Sequence, residues 1–216
     1  MRAVVIHAAH DLRIDEILHS PPGAGEVLVR IETGGICGSD LHYYHHGAIG
    51  TAILLKEPMI LGHEVAGIVE KVGRAVTRTK PGDRVALSPS RPCSACKFCF
   101  SGQQMHCLNM RFYGSAMRFP HVQGAFRQSI VADEAQCHVV PSALSAGEAA
   151  MAEPLAGLSA CGSPRWSHAR QTRSGDRFRP DRRALRHRSE TSGCRRNRHN
   201  GHFRYAGPAH AQARRR

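Results

Sequence analysis

Over most of the first 156 residues the apolar positions fall in short β-branched runs or alternate with polar ones, as strands require. Residues 3–7 and 12–17 form two such runs joined by a polar turn and predict a hairpin. Gly23 and Gly25 precede a strand at 26–32, where Val27, Val29 and Ile31 interleave with Leu28 and Arg30. Further strands are predicted at 62–72, 85–87, 125–132 and 138–140, with Pro81-Gly82 supplying a type II turn ahead of Val85. Two helical stretches interrupt them. A short helix capped by Ser39 or Asp40 runs to His46. A second opens at Ser145, with Glu148 three residues on as a capping box, and runs through 149–151 towards a break at Glu153-Pro154. Many short strands punctuated by Gly and Pro predict a mainly β fold, a rolled and partly open barrel with short helices.

The pattern stops at Ala156. The 216-residue chain has a net charge of +13, yet residues 1–156 hold 14 basic against 14 acidic residues. Residues 157–216 hold 16 Arg, no Lys and 3 acidic residues, so the whole excess lies there. That tail has no Val, Ile or Met, and only Leu158 and Leu185 as aliphatic anchors. Such a segment buries too little apolar surface to offset its ordering entropy and is predicted to be disordered. No apolar run approaches the roughly 20 residues of a membrane span. The start, MRAVVIHAAHDL, enters a strand pattern without a secretory h-region. The expectation is a cytoplasmic chain with no membrane partner, whose eight cysteines are thiols or metal ligands rather than disulfides.

Four of those cysteines stand together. Cys93, Cys96, Cys99 and Cys107 have two-residue spacers followed by a longer loop, which lets four sulfurs converge. Four thiolates close a tetrahedral zinc shell and leave no open position, a structural site. An iron–sulfur cluster uses the same donors, and a pair of disulfides is the plainest alternative. Elsewhere Cys37, His63-Glu64 and Glu153 lie in three separate segments and make up the mixed sulfur, nitrogen and oxygen set of a catalytic zinc with a place left for substrate. Singly, each has a bland reading: a small buried thiol, a satisfied histidine, a helix-end carboxylate. Cys137, in a strand-like run, reads as packing.

The motifs G-G-I-C-G-S-D-L-H at 34–42, L-G-H-E-V-A-G-I-V at 61–69, K-P-G-D-R-V at 80–85, the four-cysteine lobe and A-E-P-L-A at 152–156 resemble the zinc-dependent medium-chain dehydrogenase/reductases. The stretches 38–44 and 109–124 are similar to the polyol and sugar-acid branch of that family. The resemblance implies a GroES-like catalytic domain over 1–156, followed by a Rossmann domain that binds NAD or NADP. It implies two zinc ions, one catalytic and one structural, and a small-molecule polyol or sugar-acid substrate whose secondary hydroxyl is oxidised. Cys37 and His63 then match catalytic zinc ligands; Glu64 can be a third ligand, and Glu153 lies beside the metal, as a ligand or through water, and beside the substrate. Ser39 matches the hydroxyl that relays the alcohol proton. Asp40 matches the carboxylate that orients the ligand histidine. Tyr43 reads as a substrate-pocket residue, His42 as a pocket residue or a solvated one, and His45 and His46 as solvent-facing, with a second metal site there as the outside alternative. An intact member of the family is expected to be a dimer or tetramer.

The family likeness ends where the charge pattern ends. The strand and G-x-G-x-x-G turn expected next are missing from this reading frame, so no cofactor-binding residue is assigned. Read one nucleotide later, the codons for 175–183 are compatible with V-T-G-S-G-P-I-G-A, a dinucleotide fingerprint with glycines at the Arg177, Arg179 and Arg182 positions. The same shift over 193–204 permits a strand-end Asp at the Gly201 position, close to the roughly 20-residue spacing of a ribose-binding acid. Residues 157–216 therefore read as an out-of-frame remnant of the nucleotide-binding domain, and the chain as printed is expected to be inactive. The alternative is a zinc-binding module with an Arg-rich tail that binds nucleic acid, its Phe178, Phe203 and Tyr205 stacking on bases. It is disfavoured because out-of-frame GC-rich DNA also yields arginine.

Overall fold

The computed structural model describes residues 1–18 and 20–162, together with two short strands further along the chain. The chain divides into two units, 1–158 and 159–216. In the first, β1 (Arg2–Ala8) and β2 (Asp11–Glu16) form the expected antiparallel hairpin, with Arg2 opposite Glu16 and Ile6 opposite Leu12. Next come β3 (Glu26–Gly35), α1 (Gly38–His46), a two-residue pair β4 (Ala48–Ile49) and β5 (Ile53–Leu54), β6 (Met59–Ile60) and β7 (Glu64–Val72). Beyond these lie β8 (Arg84–Leu87), β9 (Ser90–Arg91), α2 (Lys97–Phe100), β10 (Arg111–Phe112), β11 (Ser129–Asp133), β12 (Cys137–Val139), α3 (Ala146–Ala150) and α4 (Ala152–Gly162).

The frame is a five-stranded antiparallel sheet in the order β11-β3-β7-β8-β12. A three-stranded sheet, β2-β1-β6, accompanies it. The β3–β7 pairing runs from Val27 opposite Val72 to Gly35 opposite Glu64 and shifts register twice, between Leu28 and Val29 and between Ile31 and Thr33. Such irregularities bend and twist a strand pair, which lets the sheet roll. Rolling covers both faces at one end of β3: Val27, Leu28 and Val29 are all buried, where a flat sheet would bury alternate residues. Val27, Val29, Val65, Val69, Val85, Leu87 and Ile130 form the largest core cluster. A second cluster gathers Ile6, Tyr43, Met59, Leu61 and Ala116. The Phe126 ring packs against both. It occupies the space above Gly62, where a Cβ would lie 2.2 Å from the ring and where φ is +90°. Only glycine meets both demands.

Several boundaries differ from the sequence reading. α1 is capped by Cys37, not by Ser39 or Asp40, because the N-cap carbonyl begins the helical bonding: Asp40 N–H donates to the Cys37 carbonyl at 3.1 Å. The strand expected at 125–132 is regular only over Ser129–Asp133; Ala125 and Phe126 bond instead to Gly62 and Leu61, in the segment between β6 and β7. The capping box of Ser145 and Glu148 forms as read, but the helix breaks at Met151 rather than at Pro154. Proline is tolerated in the first turn, where its missing N–H has no intrahelical partner, so Pro154 helps start α4. The β4–β5 and β9–β10 pairs were not anticipated.

In the second unit, β13 (Cys194–Arg196) and β14 (Phe203–Tyr205) pair antiparallel, with Arg195 opposite Arg204. Gly157–Gly162 is the end of α4. The remainder of 157–216, on which the expectation of disorder falls, lies outside the described residues. Among the described residues no helix is long and apolar enough to cross a membrane.

Candidate metal centres

β3 ends at Gly35 and hands the chain to Cys37, the N-cap of α1; β6 ends at Ile60 and hands it to His63 and Glu64, where β7 begins. One buried carboxylate joins the two handovers. Asp40 is 3% exposed, and its oxygens accept the backbone N–H of Cys37 at 3.0 Å and of Gly62 at 3.1 Å. These are a candidate ligand and the residue preceding another. The result is that one sulfur, nitrogen and oxygen atom from Cys37, His63 and Glu64 lie within 4.8 Å of one another. His63 is 5% exposed and Glu64 9%, while Cys37 is half-buried. Gly35, opposite Glu64, makes room for the carboxylate: a Cβ there would lie 2.2 Å from Glu64 Oε2. The Phe112 ring stands 5.2 Å from that of His63.

The electrostatics agree with the donor set. The His63 ring beside it lowers the pKa of the Cys37 thiol despite burial, helped by the Ser39 hydroxyl and N–H. Burial works against charge on His63, yet the Cys37 sulfur, with Asp40 and Glu153, raises its pKa. His63 Nδ1 is buried with no hydrogen-bond partner among the described residues. A buried ring nitrogen without a partner, beside an ionisable thiol and a carboxylate, fits a divalent cation of borderline softness, and three donors leave a position open.

The second cluster is built locally. Cys96 caps α2, Cys99 lies within it, and Ser94 turns the chain with φ at +56°. The sulfurs of Cys93, Cys96, Cys99 and Cys107 also lie within 4.8 Å of one another, and all four are free thiols, so the disulfide alternative falls. Backbone N–H groups of Cys93 and Asn109 donate to Cys107 Sγ at 3.2 and 3.4 Å. The N–H groups of Leu108 and Cys99 hold Cys96 down to about 6, while desolvation and the neighbouring sulfurs push Cys99 up to about 11. Four sulfurs this close resist ionising together, and a cation among them removes the conflict.

The other site residues fall into place unevenly. Ser39 lies against the Cys37 sulfur. Asp40 was expected to orient the ligand histidine through its ring; its oxygens bond to backbone N–H groups instead, so it fixes the segments carrying both ligands. Glu153, in the first turn of α4, is not one of the three converging groups. It is near enough to act on His63, and its own pKa is raised by burial, with His63 opposing and Glu64 adding. It lines a cavity of about 350 Å³ with Leu87, Ser88, His138 and Ala156. Tyr43 corrects the sequence reading. It is 0% exposed, sits in the second core cluster, and its hydroxyl accepts the Ala116 N–H at 2.9 Å, so it presents no surface to a substrate. His42, His45 and His46 are exposed. Cys137 is buried as packing, its thiol pushed up to about 12 by desolvation. Gly35 and Phe112 were missed. The paired glycines at 34–35 inside a strand were the available signal, since such glycines mark a close approach.

A rolled β domain carrying a mixed-donor centre and a four-thiol lobe defines the catalytic domain of zinc-type alcohol dehydrogenases. Residues 23–142, more than half the chain, match the alcohol dehydrogenase GroES-like domain, and the chain belongs to that family. L-idonate 5-dehydrogenase (NAD(P)(+)) of Escherichia coli strain K12 is 46% identical over 129 residues, which is 60% of this chain and 37% of that enzyme. Sorbitol dehydrogenase of Gallus gallus is 41% identical over 160 residues, 74% of this chain and 44% of that enzyme. The crystal structure of the Escherichia coli L-idonate 5-dehydrogenase superposes with a TM-score of 0.65 at 39% identity, covering 72% of this chain and 44% of that one. The chain thus spans less than half the length of these relatives.

Proposed function

We propose that residues 1–156 are the catalytic domain of a zinc-dependent, NAD(P)-linked dehydrogenase that oxidises a secondary hydroxyl of a polyol or sugar acid, with L-idonate the leading substrate. The observation that carries this reading is the convergence of Cys37 with the adjacent His63 and Glu64 within 4.8 Å, from two separate segments. Cys37, His63 and Glu64 would hold the catalytic ion, with Glu153 beside it; Cys93, Cys96, Cys99 and Cys107 would hold a structural one. When bound, zinc supplies Lewis-acid polarisation of the hydroxyl, and the nicotinamide accepts hydride from the carbon. The chain's own residues do the rest. Asp40 keeps the Cys37 and His63 segments in register. The Ser39 Oγ takes the hydroxyl proton as it passes its own outward. The Leu87–Ala156 cavity beside Glu153 shelters the polyol from bulk water.

In the same proposal residues 157–216 are the out-of-frame remnant of the nucleotide-binding domain. Without that domain nothing holds the nicotinamide against the reacting carbon, and lost positioning forfeits several kcal/mol of barrier lowering, on the order of 7 or more. The chain is then cytoplasmic and inactive as it stands. The test assays nicotinamide reduction, with NAD and NADP and with L-idonate and sorbitol, on this chain and on one with the frame restored near codon 156. Activity is expected only in the restored chain. Turnover by the 216-residue chain, or salt-dependent DNA binding through its tail, would overturn the reading of 157–216. A restored chain that binds zinc but oxidises no polyol or sugar acid would overturn the substrate class.

A further inference from the structure

Outside both cysteine centres, the end of α1 carries a pair of ligating side chains on one helix face. His42 and His46 are one helical turn apart and both exposed. Side chains at i and i+4 project from one face. Their ring centres lie 5.8 Å apart with the planes tilted by 40°. Two imidazoles sharing one ion through bonds of about 2.0–2.1 Å place their ring centres about 4.5–5 Å apart, somewhat closer than here. Small χ rotations at an exposed site close what remains. The same i, i+4 pair of histidines is what holds zinc in helical metal motifs.

Two features separate this pair from its neighbours. His45 also lies near, its ring centre 6.1 Å from that of His46, but one residue away it leaves the helix in a different direction, and its ring meets Tyr44 edge-on at 5.1 Å and His10 at 5.6 Å, against the β1–β2 turn. His46 is the last residue of α1, before Gly47 in the left-handed conformation. The C-terminal end of a helix is its negative end and favours a cation.

We propose that His42 and His46 chelate a divalent transition-metal ion, of the nickel, copper or zinc class, with water completing the shell. Imidazole nitrogen suits these ions, and affinity rises from nickel to copper. The ion would clamp the last turn of α1, the helix whose first turn carries Ser39 and Asp40.

The test uses the zinc-loaded full chain, so that the thiolate centres are filled, and Ni²⁺ alone as a paramagnetic probe of the histidine ring resonances. The His42 and His46 signals should broaden together and at lower Ni²⁺ than that of His7. In His46→Ala, and in the more conservative His46→Gln, His42 should need at least tenfold more Ni²⁺ to broaden, and His42→Ala should do the same to His46. His45→Ala should leave the midpoint for His42 within twofold. Comparing variants within one chain holds the contribution of the tail histidines constant, and the same spectra report whether each variant keeps its fold. If His42 broadens at an unchanged midpoint without His46, or if His45→Ala weakens it as strongly as His46→Ala, the chelate is overturned.

Discussion

The four-cysteine lobe and the Cys37–His63–Glu64 centre hold their donors together by different means. In the lobe all four sulfurs come from fifteen consecutive residues, none of which is in the core; its only regular elements are the single turns of α2 and a 3-10 helix. What keeps Cys93 beside Cys107 is backbone donation to sulfur. In the other centre the donors come from distant segments, and the β3–β7 ladder and the buried Asp40 carboxylate join them. On the proposed reading, the lobe would need a cation to hold its shape, whereas the barrel would present a centre already built. Metal affinity in the first would then be folding energy, and in the second it would add to a fold that exists without it.

The largest test removes the metal. Cys93→Ser with Cys96→Ser should abolish one zinc equivalent and, because structural zinc sites carry about 10 kcal/mol or more of apparent binding energy, should leave 93–112 unprotected in hydrogen exchange. The β3–β7 amides should keep their protection; their joint loss would erase the distinction. Next in size is Asp40→Ala, which strands the buried N–H groups of Cys37 and Gly62 at roughly 1–3 kcal/mol each. Chemical denaturation should show a loss of about 3 kcal/mol for Asp40→Ala and a smaller one for Asp40→Asn, which keeps one acceptor. Gly35→Ala should act on the centre more than on the fold, its Cβ driving Glu64 Oε2 aside. Zinc competition should read about a tenfold loss there and none at the lobe. The smallest is Tyr43→Phe, which removes the acceptor of the Ala116 N–H and should cost about 1 kcal/mol. In the frame-restored chain it should leave KM for polyol unchanged, and a large rise in KM would return Tyr43 to the pocket.

The same contrast explains what was legible from residues alone. The lobe is local, so its spacing announced the convergence of the sulfurs. Cys37, His63 and Glu64 were found through motifs, but the group that unites them is Asp40, whose bond to Cys37 is a local capping contact while its bond to the Gly62 N–H is set by where Gly62 passes α1. No spacing encodes the second. Tyr43 was misplaced because a tyrosine beside a ligand-bearing turn looks available until the Ile6, Met59 and Leu61 cluster closes over it. The long strands β3 and β7 were readable from their β-branched runs. The two-residue pairs β4–β5 and β9–β10 were not, being too short to show any period.

The placement of Phe126 carries a thermodynamic consequence. Its ring is shared by the cluster under the five-stranded sheet and by the one beneath α1. Because one ring serves both, opening either cluster strips contacts from the other. The barrel should therefore open as one foldon, its most protected amides in β1 and β7 exchanging with a common free energy and a common denaturant dependence.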